Sequence, residues 1–248
     1  MSDIVEVIPV EGVPEVRPDT DLPEMLFEAA GGFLRPGDIL VVTHKIASKA
    51  EGRIVDLTSI EPSALAEDFA SRFDKDPRQV EVVLRESKRI VKMDRGVIIS
   101  ETRHGFVCAN AGVDASNVPG NDAVCLLPED PDASARLIHD RLRERISLHV
   151  PVVVSDSFGR PWRNGITNVA IGVAGMNPFV DYRGTNDPHG YSLEASVLAV
   201  ADELASASEL VMNKTDGVPA AIVRGYPYDP TPGSAKDLVM DPERDLFR

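Results

Sequence analysis

Apolar and polar positions alternate over residues 4–10, the two-residue period of a strand with one buried face. Asp21 followed by Pro23 then marks a helix start, with Leu22, Met25, Leu26, Ala29 and Phe33 on the apolar stripe and Gly31 and Gly32 weakening its end. Residues 38–43 read as a buried strand. Asp76 and Pro77 open a second helix that turns Val80, Val83 and Leu84 inward and continues to Ile90 and Val91. Residues 97–100 and 105–109 look like a pair of strands. Asp132 stands as the cap of a helix bearing Leu137, Ile138, Leu142 and Ile146, and the β-branched run 152–154 reads as another buried strand. The stretch 165–175 is small and apolar, too rich in Gly and Ala for a self-sufficient helix. Residues 193–212 carry a helical period on Val197, Val200, Ala201, Leu204 and Val211. Residues 220–223 form a last strand, and the proline-rich 226–233 a loop. Helical and extended periods mix without a regular βαβ rhythm, which predicts an α+β fold of mixed or antiparallel sheets with packed helices.

At 248 residues the chain can bury a sizeable core, as one domain or two small ones. A net charge of −14 argues against nucleic acid or a membrane surface as partner. It leaves room for a phosphate site held by metals and local arginines. No apolar run approaches the roughly 20 residues of a membrane span. The acidic, strand-like beginning is unlike a signal or transit peptide. Cys108 and Cys125 sit in apolar surroundings without metal-ligand spacing, as reduced, buried thiols of a cytoplasmic protein do.

Candidate chemistry concentrates in residues 151–165. A buried strand there delivers Asp156 between Ser155 and Ser157, followed by a turn with Arg160, Trp162, Arg163 and Asn164. Strand ends hold polar groups rigidly enough for catalysis. A matching element upstream runs from Gly105 through Asn110 to Asp114, Ser116 and Asn117. A lone aspartate after a strand is commonly a turn or cap residue. Two of them beside amide and hydroxyl neighbours suggest a divalent-metal site that handles anions. Asp114, Asp156, Ser157 and either Glu203 or Glu209 form a hard-oxygen set suited to Mg²⁺ or Mn²⁺. Lys45 and Lys49 straddle Ser48 as phosphate contacts or as a solvated turn. Arg160 and Arg163 are carboxylate clamps or surface residues, and Trp162 is a packing residue or an aromatic wall. No P-loop, dinucleotide fingerprint, nucleophile elbow or zinc signature occurs. Residue chemistry alone therefore stops at a metal-dependent enzyme acting on a phosphate- or carboxylate-bearing ligand.

Six segments together resemble the coenzyme F-420-0:L-glutamate ligase family, the γ-glutamyl ligases of a deazaflavin coenzyme. They are 11–16, 43–53, 112–117, 127–132, 155–165 and 223–225. Their most telling residues are Glu11, Pro14, Lys45, Ser48, Lys49, Asp114, Asn117, Asp156, Ser157, Arg160, Trp162, Asn164 and Arg224. They stand in the family's order and span nearly the whole chain. His44 departs from that pattern, where a small polar residue is usual.

The resemblance implies one γ-glutamyl ligase domain over residues 1–248, with room for two subdomains and no nitroreductase-like extension. It implies an intertwined homodimer. It also implies GTP as co-substrate, F-420-0 and L-glutamate as substrates, two divalent cations (Mg²⁺ or Mn²⁺) and a monovalent cation such as K⁺. Carried residue by residue, Asp114 and Asp156 become catalytic ligands of one metal, with Ser157 and Glu209 reaching the second. Val13, Pro14, Glu15, Val16, His44, Lys45, Lys49 and Asn117 would contact the nucleotide, joined by Met212, Asn213 and Gly217. Arg160, Trp162, Arg163 and Asn164 would shape the precursor or glutamate pocket. The expected reaction is GTP-dependent amide formation through an acyl phosphate. A metal-dependent phosphohydrolase and a non-catalytic nucleotide or deazaflavin carrier are the alternatives from other classes.

Overall fold

Ile39 and Val41 face one side of the central sheet and Leu40 and Val42 the other, and all four are fully buried. A strand covered on both faces reads as a continuous apolar run, and here it decides the layering. The computed structural model describes residues 4–30, 32–116 and 122–245. In chain order, β1 (Glu6–Pro9), α1 (Leu22–Ala30), β2 (Ile39–Thr43), α2 (His44–Ala50) and β3 (Ile54–Asp56) come first. Next follow α3 (Ala64–Phe73), α4 (Pro77–Glu86), β4 (Ser87–Asp94), β5 (Val97–Thr102), β6 (Val107–Ala109) and β7 (Ala123–Cys125). The second half holds α5 (Pro131–Ile146), β8 (Val152–Arg160), β9 (Arg163–Ala174), β10 (Val180–Asp181), β11 (Val197–Leu198), α6 (Val200–Met212) and β12 (Ala220–Arg224).

The main sheet has the order β1-β12-β2-β8-β9, and β2 with β8 is its parallel pair. Pro9 lies on the edge strand, where its missing N–H breaks no ladder. The apolar faces of α1 and α5 cover one side of this sheet, with Leu26, Ile138 and Leu142 against Leu40, Val152 and Val154. On the other side α6 packs Val200, Ala201 and Leu204 against Ile39, Val41 and Val153. A third cluster joins α3 and α4 to β5 and β7 through Phe69, Val83, Ile98 and Val124. The architecture is α+β with mixed and antiparallel sheets, as the pattern predicts. Among the described residues no helix is long and apolar enough to cross a membrane.

Several local expectations are corrected. The α4 helix stops at Glu86, because Ser87 turns extended, and Ile90 and Val91 lie in β4 with Val91 exposed. A turn through Arg95 and Gly96, both at positive φ, folds β4 back onto β5. The cap of α5 is Asp130, which accepts the Ala133 N–H, with Pro131 at the first helical position. Asp132 lies inside the first turn, and Leu137 points outward. Phe33 lies beyond the end of α1 and is exposed; Gly31 falls outside the described residues. The last long helix begins at Val200 instead of 193, because Val197 and Leu198 pair with β10. Of the segment 165–175, all but Gly175 lies in strand β9, and Gly172 is small for a packing reason: a Cβ there would meet the Pro131 carbonyl oxygen at 2.1 Å.

Candidate functional site

Thr43, the last residue of β2, pairs with Ser155 where the parallel β2–β8 pairing stops, and a cleft of about 630 Å³ opens beside that point. Ends of parallel strands are where open sheets leave room for ligands. The chain leaves β2 directly into α2, which carries Lys45 and Lys49, while β8 continues through Asp156 and Ser157. The loop between β1 and α1 lines the cleft with Val13, Pro14, Glu15 and Val16. The end of α6 and the loop after it add Glu209, Met212, Asn213, Lys214 and Gly217. Asp114 enters from a short bridge, its backbone exchanging hydrogen bonds with Cys125 at 3.0 and 2.8 Å.

Every carboxylate here meets a donor. Lys45 Nζ lies 2.8 Å from Asp114 Oδ2 and donates to Ser116 Oγ at 2.6 Å. Ser116 donates its N–H to Asp114 Oδ1 at 2.7 Å. Burial raises the Asp114 pKa, but the Lys45 ammonium and the Ser116 bonds outweigh it and hold the carboxyl below its ordinary range. Lys49 Nζ donates to Glu15 Oε1 at 2.5 Å. On the far wall the Lys214 ammonium donates to Ser157 Oγ, and Nζ lies 3.5 Å from Glu209 Oε1. Ser157 Oγ donates to Asn168 Oδ1 at 2.6 Å, and Asn168 Nδ2 donates to Glu209 Oε2 at 2.8 Å. Asp156 Oδ1 accepts the Ser157 N–H at 2.6 Å.

Of the residues singled out in the sequence, Val13 to Val16, Lys45, Lys49, Asp114, Asp156, Ser157, Glu209, Met212, Asn213 and Gly217 all line this one cleft. Asn117 lies outside the described residues. His44 is 1% exposed and stands behind the wall instead of lining it. Glu203, the other acid weighed with Glu209, is not part of the lining. Arg160, Trp162, Arg163 and Asn164 form the turn between β8 and β9, outside the cleft, where Trp162 is 82% exposed at φ 56°. Sequence reasoning named Ser116 only as a hydroxyl neighbour of Asp114, and it missed Asn168 and Lys214. Asn168 carried a readable signal, since the antiparallel β8–β9 pairing sets it opposite Ser157. Lys214 carried none, because a loop lysine acquires meaning only from its neighbours.

The two thiols lie beneath the site. Burial, with the Asp156 carboxylate nearby, pushes Cys108 up to about 12, and burial pushes Cys125 up to about 11. Both are free, as the sequence predicts, and neither is a thiolate at neutral pH.

Hard oxygen donors in this cleft fit a divalent cation. Among the described residues no three His, Cys, Asp or Glu side chains converge to hold one alone. Mg²⁺ sites of this kind take one or two carboxylates and complete the shell with water and phosphate oxygens. Three lysines on the same walls supply the positive charge that a polyphosphate chain needs.

The family model described as F420-0:Gamma-glutamyl ligase matches residues 12–225. A coenzyme F420:L-glutamate ligase of Methanopyrus kandleri is 46% identical, over 98% of this chain and 97% of its own length. Its counterpart in Methanothermobacter thermautotrophicus is 47% identical, over 98% and 99%. That of Haloarcula marismortui is 44% identical, over 98% and 96%.

Proposed function

We propose that this chain, which belongs to the F420-0:gamma-glutamyl ligase family, uses the cleft to join L-glutamate to the deazaflavin coenzyme precursor F-420-0 with GTP as the driving co-substrate. The observation that carries the reading is the convergence of Asp114, Asp156, Ser157 and Glu209 with Lys45, Lys49 and Lys214 in one cleft. These residues come from separate parts of the chain, and the family match covers all of them. An ionised carboxylate is a poor electrophile, so amide formation at neutral pH requires its activation. The γ-phosphoryl group of GTP passes to the terminal carboxylate of the precursor, and GDP leaves. The glutamate amine then attacks the acyl carbon, and phosphate departs with one former carboxylate oxygen.

Phosphoryl transfer rests on positioning and charge neutralisation. Asp114 and Asp156 would hold one divalent cation, with Ser157 and Glu209 toward a second, and such ions neutralise phosphate oxygens when bound. The chain's own part is to aim these oxygens rigidly. Ser116 fixes Asp114, and Asn168 fixes Ser157 against Glu209. Lys45, Lys49 and Lys214 sit on the walls as cations for the triphosphate, and the backbone at 13–16 with 212–217 borders the nucleotide. Arg160, Trp162, Arg163 and Asn164 belong to recognition of precursor or glutamate, in a homodimer that also takes a monovalent cation such as K⁺. The test is isotopic. With ¹⁸O in the precursor's terminal carboxylate, one label is expected in phosphate per amide formed. Amide with unlabelled phosphate excludes the acyl phosphate, and unlabelled phosphate without amide favours a phosphohydrolase.

A further inference from the structure

His44 opens α2 with its imidazole turned inward beside the cleft, and the proposed reaction leaves its chemistry unused. Its Nε2 lies 3.3 Å from Asp156 Oδ1 without the alignment of a full hydrogen bond, so this buried nitrogen is left without a partner. One helical turn on, Ser48 Oγ stands 3.3 Å from His44 Nδ1 and is itself completely buried. The Ser48 hydroxyl lies in turn beside the Cys125 thiol. Asp156 Oδ1 is thus approached from behind by His44 and bonded by the Ser157 N–H. Among the described residues Asp156 Oδ2 has no hydrogen-bond partner.

We infer that His44 is the positioning residue for Asp156. With the Ser48 hydroxyl at Nδ1, the ring presents Nε2 to Oδ1, which leaves Oδ2 directed at the cleft. The inference rests on the proposed role of Asp156 as a ligand. A carboxylate that must hold a cation loses little by sharing one oxygen with a fixed donor, and it gains a single orientation. A buried imidazole with one unmatched N–H is costly unless something completes the pair. A modest turn of the Asp156 carboxylate would complete it.

Two isosteric variants separate positioning from filling space. His44→Gln keeps an N–H near the Nε2 position, whereas His44→Met keeps the volume and removes the donor. His44→Met should lower kcat and raise the half-saturating Mn²⁺ concentration by about 10- to 100-fold, with little change in KM for glutamate. His44→Gln should restore most of the loss, and His44→Met should add nothing in an Asp156→Ala background. A second readout needs no turnover. In protein labelled with ¹⁵N-histidine, Asp156→Ala should shift the His44 ring nitrogens and leave the other histidines in place. Equal losses in the Gln and Met variants, full activity of folded His44→Met, or unmoved His44 signals in Asp156→Ala would each overturn the assignment. Wild-type protein that makes no glutamylated product would instead sink the ligase reading, and the nitrogen spectra would still decide the pairing.

Discussion

Lys45 Nζ sits 2.8 Å from Asp114 Oδ2 and 2.6 Å from Ser116 Oγ, so one lysine of α2 pins the loop that presents the carboxylate. Burial acts on Asp114 in the opposite direction and is the larger single influence. Lys45→Met should therefore reverse the balance. The Asp114 carboxyl should titrate below the ordinary carboxylate range in the wild type and move upward in the variant, as read by ¹³C carboxyl titration. The sign for stability follows. A depressed folded-state pKa stabilises above the unfolded-state value, and that stabilisation is lost as pH falls through the depressed one. A Lys45→Met protein whose Asp114 titrates unchanged would mean that Ser116 alone holds the carboxylate.

Asp114→Asn and Asp156→Asn should each lower kcat by about 10²-fold or more, the scale of losing one electrostatic stabiliser of a transition state. Each substitution keeps shape and removes charge, so circular dichroism should stay near wild type, and Asp114→Asn should lower the melting midpoint only by the modest stabilisation its depressed pKa supplies. Near-wild-type turnover of either folded variant at saturating Mn²⁺ would remove that residue from the site.

Asp132 should matter for folding. Its carboxylate is 4% exposed and accepts the Val173 N–H at 2.8 Å, the Ala235 N–H at 2.9 Å and Ser234 Oγ at 2.5 Å. It ties α5 to β9 and to the segment after β12. Asp132→Ala leaves two buried backbone donors without an acceptor, at about 1–3 kcal/mol each. Urea unfolding should show a loss of about 2–6 kcal/mol, and a smaller loss would mean that water or a side chain replaces the carboxylate.

That double role shows where sequence reading succeeded and where it stopped. Val152 to Val154 and Ile39 to Val42 were legible because full burial on both faces leaves an unbroken apolar run. Asp130 and Asp132 both resemble caps, and only Pro131 at the first helical position separates them. The α3 helix went unread although Ala66, Phe69 and Ala70 stand at helical spacing behind the Ser63 cap. Asp114, Asp156 and both α2 lysines were legible through their motifs. The ladder from Lys214 through Ser157 and Asn168 to Glu209 was not, because it depends on contacts between β8, β9 and α6.

Two copies should associate in dilute solution, and light scattering at micromolar concentration should give about twice the 26.9 kDa of one chain. Gly172 does not provide the contact, since the Pro131 carbonyl of its own chain already occupies the space beside it. The exposed outer half of the hairpin, with Trp162 and Ile166, is the better candidate. A monomer mass would end this proposal.

The same hairpin turn supplies the sharpest test of substrate recognition. Arg160 donates to the Asn164 carbonyl at 3.0 Å, which braces the turn, while Trp162 and Arg163 extend into solvent. None of them lines the cleft of its own chain. If the turn recognises precursor or glutamate, Trp162→Ala and Arg163→Ala should raise KM for one of these about 10-fold with kcat and the KM for GTP nearly constant. That pattern marks binding shared by ground and transition states. The geometry then leaves two routes to the effect: the acceptor extends along the hairpin, or the turn reaches the cleft of a second copy. Mixing Arg163→Ala chains with Asp156→Asn chains at substrate well below the raised KM distinguishes them. Each mixed dimer built on the second route pairs one intact cleft with one intact turn, and activity should rise above the sum of the separate variants. On the first route it should not. Unchanged KM values in both turn variants would take Trp162 and Arg163 out of substrate recognition.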